Sequence, residues 1–146
     1  MKIREIINSD FSQWLPLWEG YNTFYKRTVS REITENSWKR FLAPSEPMFC
    51  LVAESDGQLI GFAQYLFHRN TAMTNDVCYL QDLFTAENAR GQGVGKALIE
   101  AVYERAKIAG STRVYWQTHE TNETAMSLYD KVADYSGFVV YRKLFK

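Results

Sequence analysis

The sequence predicts one α/β domain spanning residues 1–146, built on a mixed β-sheet. Three observations carry this expectation. Short apolar runs of strand length stand at 48–55, 58–67 and 76–85. Apolar residues recur at helical spacing through 11–27 and 93–109. The order of elements is an early hairpin, then strand, helix, strand, helix, strand, which calls for both antiparallel and parallel neighbours. At 146 residues the chain is about one domain's worth and long enough to bury a sizeable core.

The elements can be justified in turn. KIREII (2–7) alternates as a strand does, and Asp10 or Ser12 stands where the following helix needs a cap. That helix, FSQWLPLWEGYNTFYKR, sets Trp14, Trp18, Tyr21 and Tyr25 on one face, and Pro16 is tolerated only because it falls near the first turn. A second helix covers roughly 34–43 and stops before Pro44. MFCLVAES (48–55) and QLIGFAQYLF (58–67) are joined by Asp56-Gly57, a dipeptide suited to a hairpin turn. DVCYLQDLFT (76–85) is the next strand. In the helix at 93–109, Val94, Leu98, Ala101, Val102 and Ile108 fall near one face, and Gly110 stands where a closing glycine is expected. RVYWQT (113–118) reads as a strand, 122–133 as a helix and GFVVYRKLF (137–145) as a closing strand.

Charge and composition narrow the function classes. Seventeen basic residues balance 17 acidic ones, with no like-charge run, which argues against nucleic-acid binding by general electrostatics. No stretch approaches the ~20 apolar residues of a membrane span, and MKIREIINSD has no apolar signal core. A cytoplasmic protein is expected. Cys50 and Cys78 have no CxxC or His partner and read as reduced, buried thiols. His68 and His119 are too scattered for a metal site.

The chemistry concentrates in ARGQGVGKAL (89–98), between the strand ending at Thr85 and the helix starting near Gly93. Glycines let this loop turn sharply, aim successive N–H groups at one anion, and add a helix N-terminus behind them. Walker A fails, because Gly95-Lys96 is followed by Ala97 and position 90 is Arg. The dinucleotide fingerprint fails too: Gly91, Gly93 and Gly95 give GxGxG, and RVYWQT downstream offers no acid for a ribose. Arg/Gln-x-x-Gly-x-Gly/Ala fits at Arg90, Gly93 and Gly95. This resembles the signature with which the GNAT superfamily of N-acetyltransferases cradles the pyrophosphate of coenzyme A. YLQDLFTAENARGQGVGKAL reproduces that family's strand, loop and helix without a gap, and VYWQTHETNETAMSLYDKV is similar to its second half. The likeness is nearest to the yeast-type histone and polyamine acetyltransferase subgroup, through LWEGYNTFY, RFLAP and VYW, and spans nearly the whole chain. It implies a twisted mixed sheet flanked by helices on both faces, with two adjacent strands splayed to admit a pantetheine arm. Acetyl-CoA is the implied co-substrate, held by Leu83, Phe84 and Thr85 on the strand, by Arg90, Gly91, Gln92, Gly93, Val94, Gly95 and Lys96 in the loop, and by Asn122.

Acetyl transfer from a thioester to an amine needs a neutral amine, a stabilised oxyanion and a proton for the departing thiolate. A lysine-like amine lies roughly 3 pKa units above neutrality, so a base or water chain is required. Tyr129 matches the family's catalytic tyrosine and is the candidate acid; alternatively its ring packs in the core and its hydroxyl satisfies a backbone group. Asn122 can equally be a helix N-cap. Leu83 to Thr85 bind only if a bulge frees their hydrogen bonds; otherwise they form an ordinary central strand. The base is not legible: Gln81 stands where polyamine-acetylating relatives often carry Glu, and Asp82, on the opposite face, reads as a cap or ion pair. Glu19, Glu120, His119 and a water chain stay open. The stretch VADYS between Tyr129 and Gly137 is longer than the family norm and reads as an extra helical turn or loop near the site mouth. The aromatic stripe is either core or part of the acceptor site. An N-acetyltransferase for small amines, polyamines or amino acids is the expectation. Protein lysines or N-termini, a non-catalytic acyl-CoA-binding module and a nucleotide-binding protein are the alternatives. The resemblance suggests a homodimer, since the exposed edge of 137–145 can pair with another chain.

Overall fold

The computed structural model describes residues 1–145. Along the chain run β1 (Lys2–Glu5), α1 (Phe11–Phe24), α2 (Arg31–Leu42), β2 (Met48–Ser55), β3 (Gln58–His68), β4 (Val77–Thr85), α3 (Val94–Ile108), β5 (Val114–Tyr115) and α4 (Glu123–Val132). The strands order as β1-β2-β3-β4-β5, antiparallel as far as β4, with β5 parallel to β4. α1 and α2 pack on one face, α3 and α4 on the other. This is the expected mixed sheet with helices on both faces.

Burial on both faces explains why β2 reads as a continuous apolar run: Leu51 and Ala53 point to α3, Cys50 and Val52 to α1 and α2. The turn at Asp56-Gly57 has positive φ at both residues (50° and 76°), the conformation whose twist matches the flanking strands. Trp14, Trp18 and Tyr21 are buried in successive near-parallel pairs with ring centroids 5.7 and 5.8 Å apart, so most of the aromatic stripe is core.

Several boundaries differ from expectation, each for a local reason. Asp10 precedes α1, but its carboxylate turns away from the helix to accept from Arg4 at 2.8 and 3.0 Å and from the Ile7 N–H at 2.8 Å. α1 stops at Phe24 rather than near 27 because Lys26 adopts a left-handed φ of 54°, with its N–H on Thr23 O and that of Arg27 on Asn22 O. α2 begins at Arg31, since Ser30 caps it by accepting from the Ile33 N–H. Thr34 is therefore internal, and its hydroxyl accepts from Trp18 Nε1 at 3.0 Å. In α3 Val94, Leu98, Val102 and Ala106 form the buried row, whereas Ile108 in the last turn is exposed. Gly110 closes that helix at φ 84°, as expected.

Two expected strands are shortened or missing. Of 113–118 only Val114 and Tyr115 pair with β4. The closing strand at 137–145 does not form: the segment has no ladder partner among the described residues and its side chains are exposed. Its apolar alternation suits a strand, but a strand exists only through a neighbour's hydrogen bonds. VADYS adds no helical turn, because α4 ends at Val132 and the chain continues extended from Ala133. Among the described residues no helix is long and apolar enough to cross a membrane, and Cys50 and Cys78 are free and buried.

Candidate active site

The site begins with a gap in the sheet. β4 pairs with β3 along its whole length but with β5 only at Cys78↔Val114 and Tyr79↔Tyr115. Beyond Tyr79 the β4 edge that faces β5 has no strand partner among the described residues, so Leu83, Phe84 and Thr85 line an opening between two diverging strands. A bulge is present, though earlier than expected: Leu80 opposes Tyr65 and Asp82 opposes Gln64, leaving Gln81 unopposed. The extra residue resets the pleat. Leu80 packs toward α3, while Asp82 bonds Gln64 on the face covered by α1.

The opening widens into a cavity of about 570 Å³. The glycine loop forms its floor. Gly91 and Gly93 have φ of 78° and 81°, and a Cβ built on either meets nothing within 4 Å. Their turn needs glycine, and the space beside them is open. The first helical bond of α3 runs from the Ala97 N–H to Gly93 O, so the N–H groups of Val94, Gly95 and Lys96 precede the helix ladder. Gly95 serves packing as well, since a Cβ there would stand 3.3 Å from Leu128 of α4. Arg90 donates from Nε to Thr85 O at 3.1 Å, and its guanidinium lies over the Phe24 and Phe84 rings. Arg90 and Lys96 are the charged residues lining the cavity, and no carboxylate joins them among the described residues. Lys96 also pairs with Glu100 at 3.3 Å, outside the cavity lining. Open glycines, amides free ahead of the helix ladder and two cations at the cavity wall suit a polyphosphate. Gln92 is exposed and does not line the cavity.

α4 supplies the opposite wall. Asn122 occupies the N-cap position without a cap hydrogen bond; its Nδ2 donates to Thr118 Oγ1 at 3.3 Å. Tyr129 stacks edge-on against Trp116, with centroids 5.3 Å apart, and no partner for its hydroxyl is found among the described residues. Burial, with Tyr25 nearby, pushes its phenol up to about 12. Tyr129 lines both the main cavity and a smaller one of about 20 Å³ shared with Tyr21, Gln81 and Gln117.

The structure does not gather the candidate bases. Glu19, His119 and Glu120 line neither cavity, and His119 is engaged with Thr121 at 2.7 Å. Asp82 is neither a cap nor half of an ion pair. Gln64 Nε2 donates to it at 2.8 Å, and Trp14 Nε1 donates to Gln64 Oε1 at 2.8 Å, a buried polar chain between sheet and helix. Burial raises the Asp82 carboxyl, against the pull of Gln64, Tyr21 and Arg27.

Residues 3–135 match the model of the acetyltransferase (GNAT) family. The chain belongs to that family. It is 36% identical over 143 residues to the D-amino-acid N-acetyltransferase HPA3 of Saccharomyces cerevisiae, covering 97% of this chain and 89% of the yeast protein. With the thialysine N-epsilon-acetyltransferase of Mus musculus it shares 30% over 137 residues, 88% of this chain and 80% of the other. The fold superposes on the aminoglycoside N-acetyltransferase AAC(6')-Iy, solved in complex with CoA, with a TM-score of 0.85 at 19% identity, covering 98% and 93% of the two chains.

Three lining features of this GNAT protein escaped the motif reading. Phe24 enters from the end of α1, which the helix stop at Lys26 aims at the cavity beside Tyr25, the one member of the aromatic stripe that lines it. Thr124, Ala125 and Leu128 follow from the helical spacing of α4 around Tyr129, a signal the sequence did contain. The small side cavity arises where the bulge at Gln81 meets the departing end of β5, a tertiary coincidence with no sequence mark.

Proposed function

We propose that this acetyltransferase moves the acetyl group of acetyl-CoA directly to the primary amine of a small molecule, with an amino acid or polyamine as acceptor. The observation that carries the proposal is the cavity between β4 and β5, floored by the glycine loop and bordered by Tyr129. Acetyl-CoA supplies the activated thioester. The amides of Val94, Gly95 and Lys96, with Arg90 and the Lys96 side chain, hold the phosphates, and Gly91 and Gly93 keep the approach clear. The unpaired edge of Leu83, Phe84 and Thr85 offers backbone groups to an extended amide chain, and Asn122 adds a polar contact from α4. Tyr129 stays protonated at neutral pH and gives that proton to a departing thiolate. The amine loses its proton to water in the side cavity at Gln81 and Gln117, which has room for one molecule. Burial pushes both cysteine thiols up, which speaks for direct transfer rather than an acetylated cysteine.

Tyr25 and Phe24 give the mouth an aromatic rim suited to an alkylamine. Relatives named for D-amino acids and for thialysine support an amino-acid amine. We further propose a cytoplasmic homodimer: free buried cysteines suit a reducing compartment, and β5 has no strand on its outer edge among the described residues. The test is CoA-thiol release from acetyl-CoA with D- and L-amino acids, spermidine, and peptides bearing a free N-terminus or a lysine. Turnover with the small amines supports the proposal. Turnover confined to peptides replaces it with protein acetylation, and acetyl-CoA binding without turnover replaces it with a binding module.

A further inference from the structure

Arg27 is an exposed cation that its surroundings hold in one place. The chain turns at Lys26, whose φ of 54° is a left-handed conformation uncommon outside glycine, and the Arg27 N–H returns to Asn22 O at 3.0 Å. The side chain folds back as well. Its Nε donates to Asn22 Oδ1 at 2.6 Å, and its guanidinium lies 5.4 Å from the centroid of the Tyr21 ring and 6.0 Å from that of Trp18. Asn22 is buried at 5% exposure in the last turn of α1, where its Nδ2 is fixed on Trp18 O at 2.9 Å and its side-chain oxygen is left to receive Arg27. A cation near a helix C-terminus is favoured by the dipole alone, but that does not require a buried amide to hold it. Nη1 and Nη2 make no hydrogen bond, and no carboxylate pairs with Arg27, among the described residues. An arginine with Nε tied and its plane over two rings presents its two terminal nitrogens as a fixed fork, the geometry that binds a carboxylate through both oxygens.

The fork stands beside the amine end of the site, and Tyr21 joins the two. The Tyr21 ring carries the guanidinium, while its hydroxyl donates to Gln81 O at 3.5 Å and borders the side cavity with Gln81, Gln117 and Tyr129. Tyr25, edge-on to Tyr21 with centroids 5.0 Å apart, lines both cavities. Arg27 lines neither, so it stands outside them against the rings of the rim. Burial raises the Tyr25 phenol and the Asp82 carboxyl, and the charge of Arg27 pulls both down, so that charge is felt within the site. We propose that Arg27 anchors the carboxylate of an amino-acid acceptor, Nη1 and Nη2 holding its two oxygens while its amine reaches the side cavity beside Tyr129. The proposal rests on the acetyl-transfer reading above and names the acceptor class. The same cation repels the second ammonium of a polyamine, which separates the two small acceptors.

The test is CoA-thiol release by the full chain with D- and L-phenylalanine and D- and L-methionine, each beside its α-amide, and with spermidine. The parent should prefer a reactive acid to its amide by roughly tenfold to a hundredfold in kcat/KM, carried mainly by KM, as expected for hydrogen bonds to a charged group. Arg27→Gln should remove most of that preference, and Arg27→Lys, which keeps the charge without the fork, should restore part of it. A capping or packing role would weaken acids and amides alike, so the acid-to-amide ratio distinguishes the two roles; if R27Q does not fold, the ratios in the parent and in Arg27→Lys decide. A parent that takes acids and amides equally or prefers spermidine, or a preference that survives Arg27→Gln, overturns the carboxylate anchor while leaving acetyl transfer standing. No turnover with any of these amines overturns the small-amine reading and the anchor with it.

Discussion

Gly93→Ala separates the cost of a strained turn from the cost of a damaged anion cradle. Gly93 sits at φ 81°, ψ 12°, so an alanine there carries a left-handed backbone penalty of about 1–2 kcal/mol. Its Cβ meets nothing within 4 Å, so no packing clash is added. For a chain of this size the melting temperature should fall by about 2–8 °C. The methyl group projects into open space beside amides assigned to the phosphates. Losing one hydrogen bond to a charged group costs about 1.5–3 kcal/mol, which weakens acetyl-CoA binding roughly tenfold to a hundredfold. Gly57→Ala is the internal control, since Gly57 has φ 76°, equally open surroundings and no place in the cavity lining. Calorimetric titration of acetyl-CoA into both variants, with thermal unfolding alongside, reads the two effects separately. Equal destabilisation with lost affinity only in G93A is the expected result. Equal affinities in the two variants would refute the cradle and leave the glycines as a structural turn.

Other substitutions probe the remaining parts. Tyr129→Phe should lower kcat by roughly 10²-fold with little change in acetyl-CoA affinity. Because the folded phenol is raised to about 12, its contribution to stability is complete below pH 10 and lost as the pH climbs toward 12. Thermal melts of the parent should show that alkaline loss more strongly than melts of Y129F. Burial raises the Asp82 carboxyl, so its contribution favours the fold at low pH and is lost as pH rises through the folded value. Asp82→Asn keeps an acceptor for Gln64 and should raise the melting temperature at pH 7, an advantage that shrinks on acidification; Asp82→Ala strands the Gln64 donor and should cost about 1–3 kcal/mol. At Gly61 a Cβ would stand 2.7 Å from the Phe84 carbonyl oxygen and 3.2 Å from Val94 Cγ1, so Gly61→Ala should destabilise by about 1–3 kcal/mol in denaturant titration.

Local chemistry was legible where one stretch of chain decides the outcome. Asp56-Gly57 fixes its own turn, Gly110 closes its own helix, and the glycine loop follows from conformations that only glycine adopts freely. Legibility fades where two segments must meet. The bulge at Gln81 exists only in the register between β3 and β4, and it sends Asp82 toward Gln64 rather than a charge partner. Tyr25 reads as one more rung of the aromatic stripe until Lys26 ends α1 and leaves that ring at the cavity mouth. GFVVYRKLF is strand-like in composition, yet whether it forms a strand depends on which edge receives it, and no residue within it encodes that edge. No candidate base stands out in the sequence, and none of Glu19, His119 and Glu120 lines the site; of the two glutamines in the side cavity, Gln81 is marked by the resemblance as a position where relatives carry Glu, whereas Gln117 carries no sequence signature.

The most direct measurement is thermal unfolding of the protein against concentration series of acetyl-CoA, coenzyme A, ATP and NAD. At about 100 times its dissociation constant a ligand confined to the folded state adds about 2.7 kcal/mol, or roughly 5–11 °C for a chain of this size. A cavity opened by the parting of β4 and β5 and floored by the Gly91–Gly95 amides predicts a shift of that order with acetyl-CoA and coenzyme A, and smaller shifts with ATP and NAD. No shift with acetyl-CoA, or an equal shift with ATP or NAD at matched concentration, would contradict it.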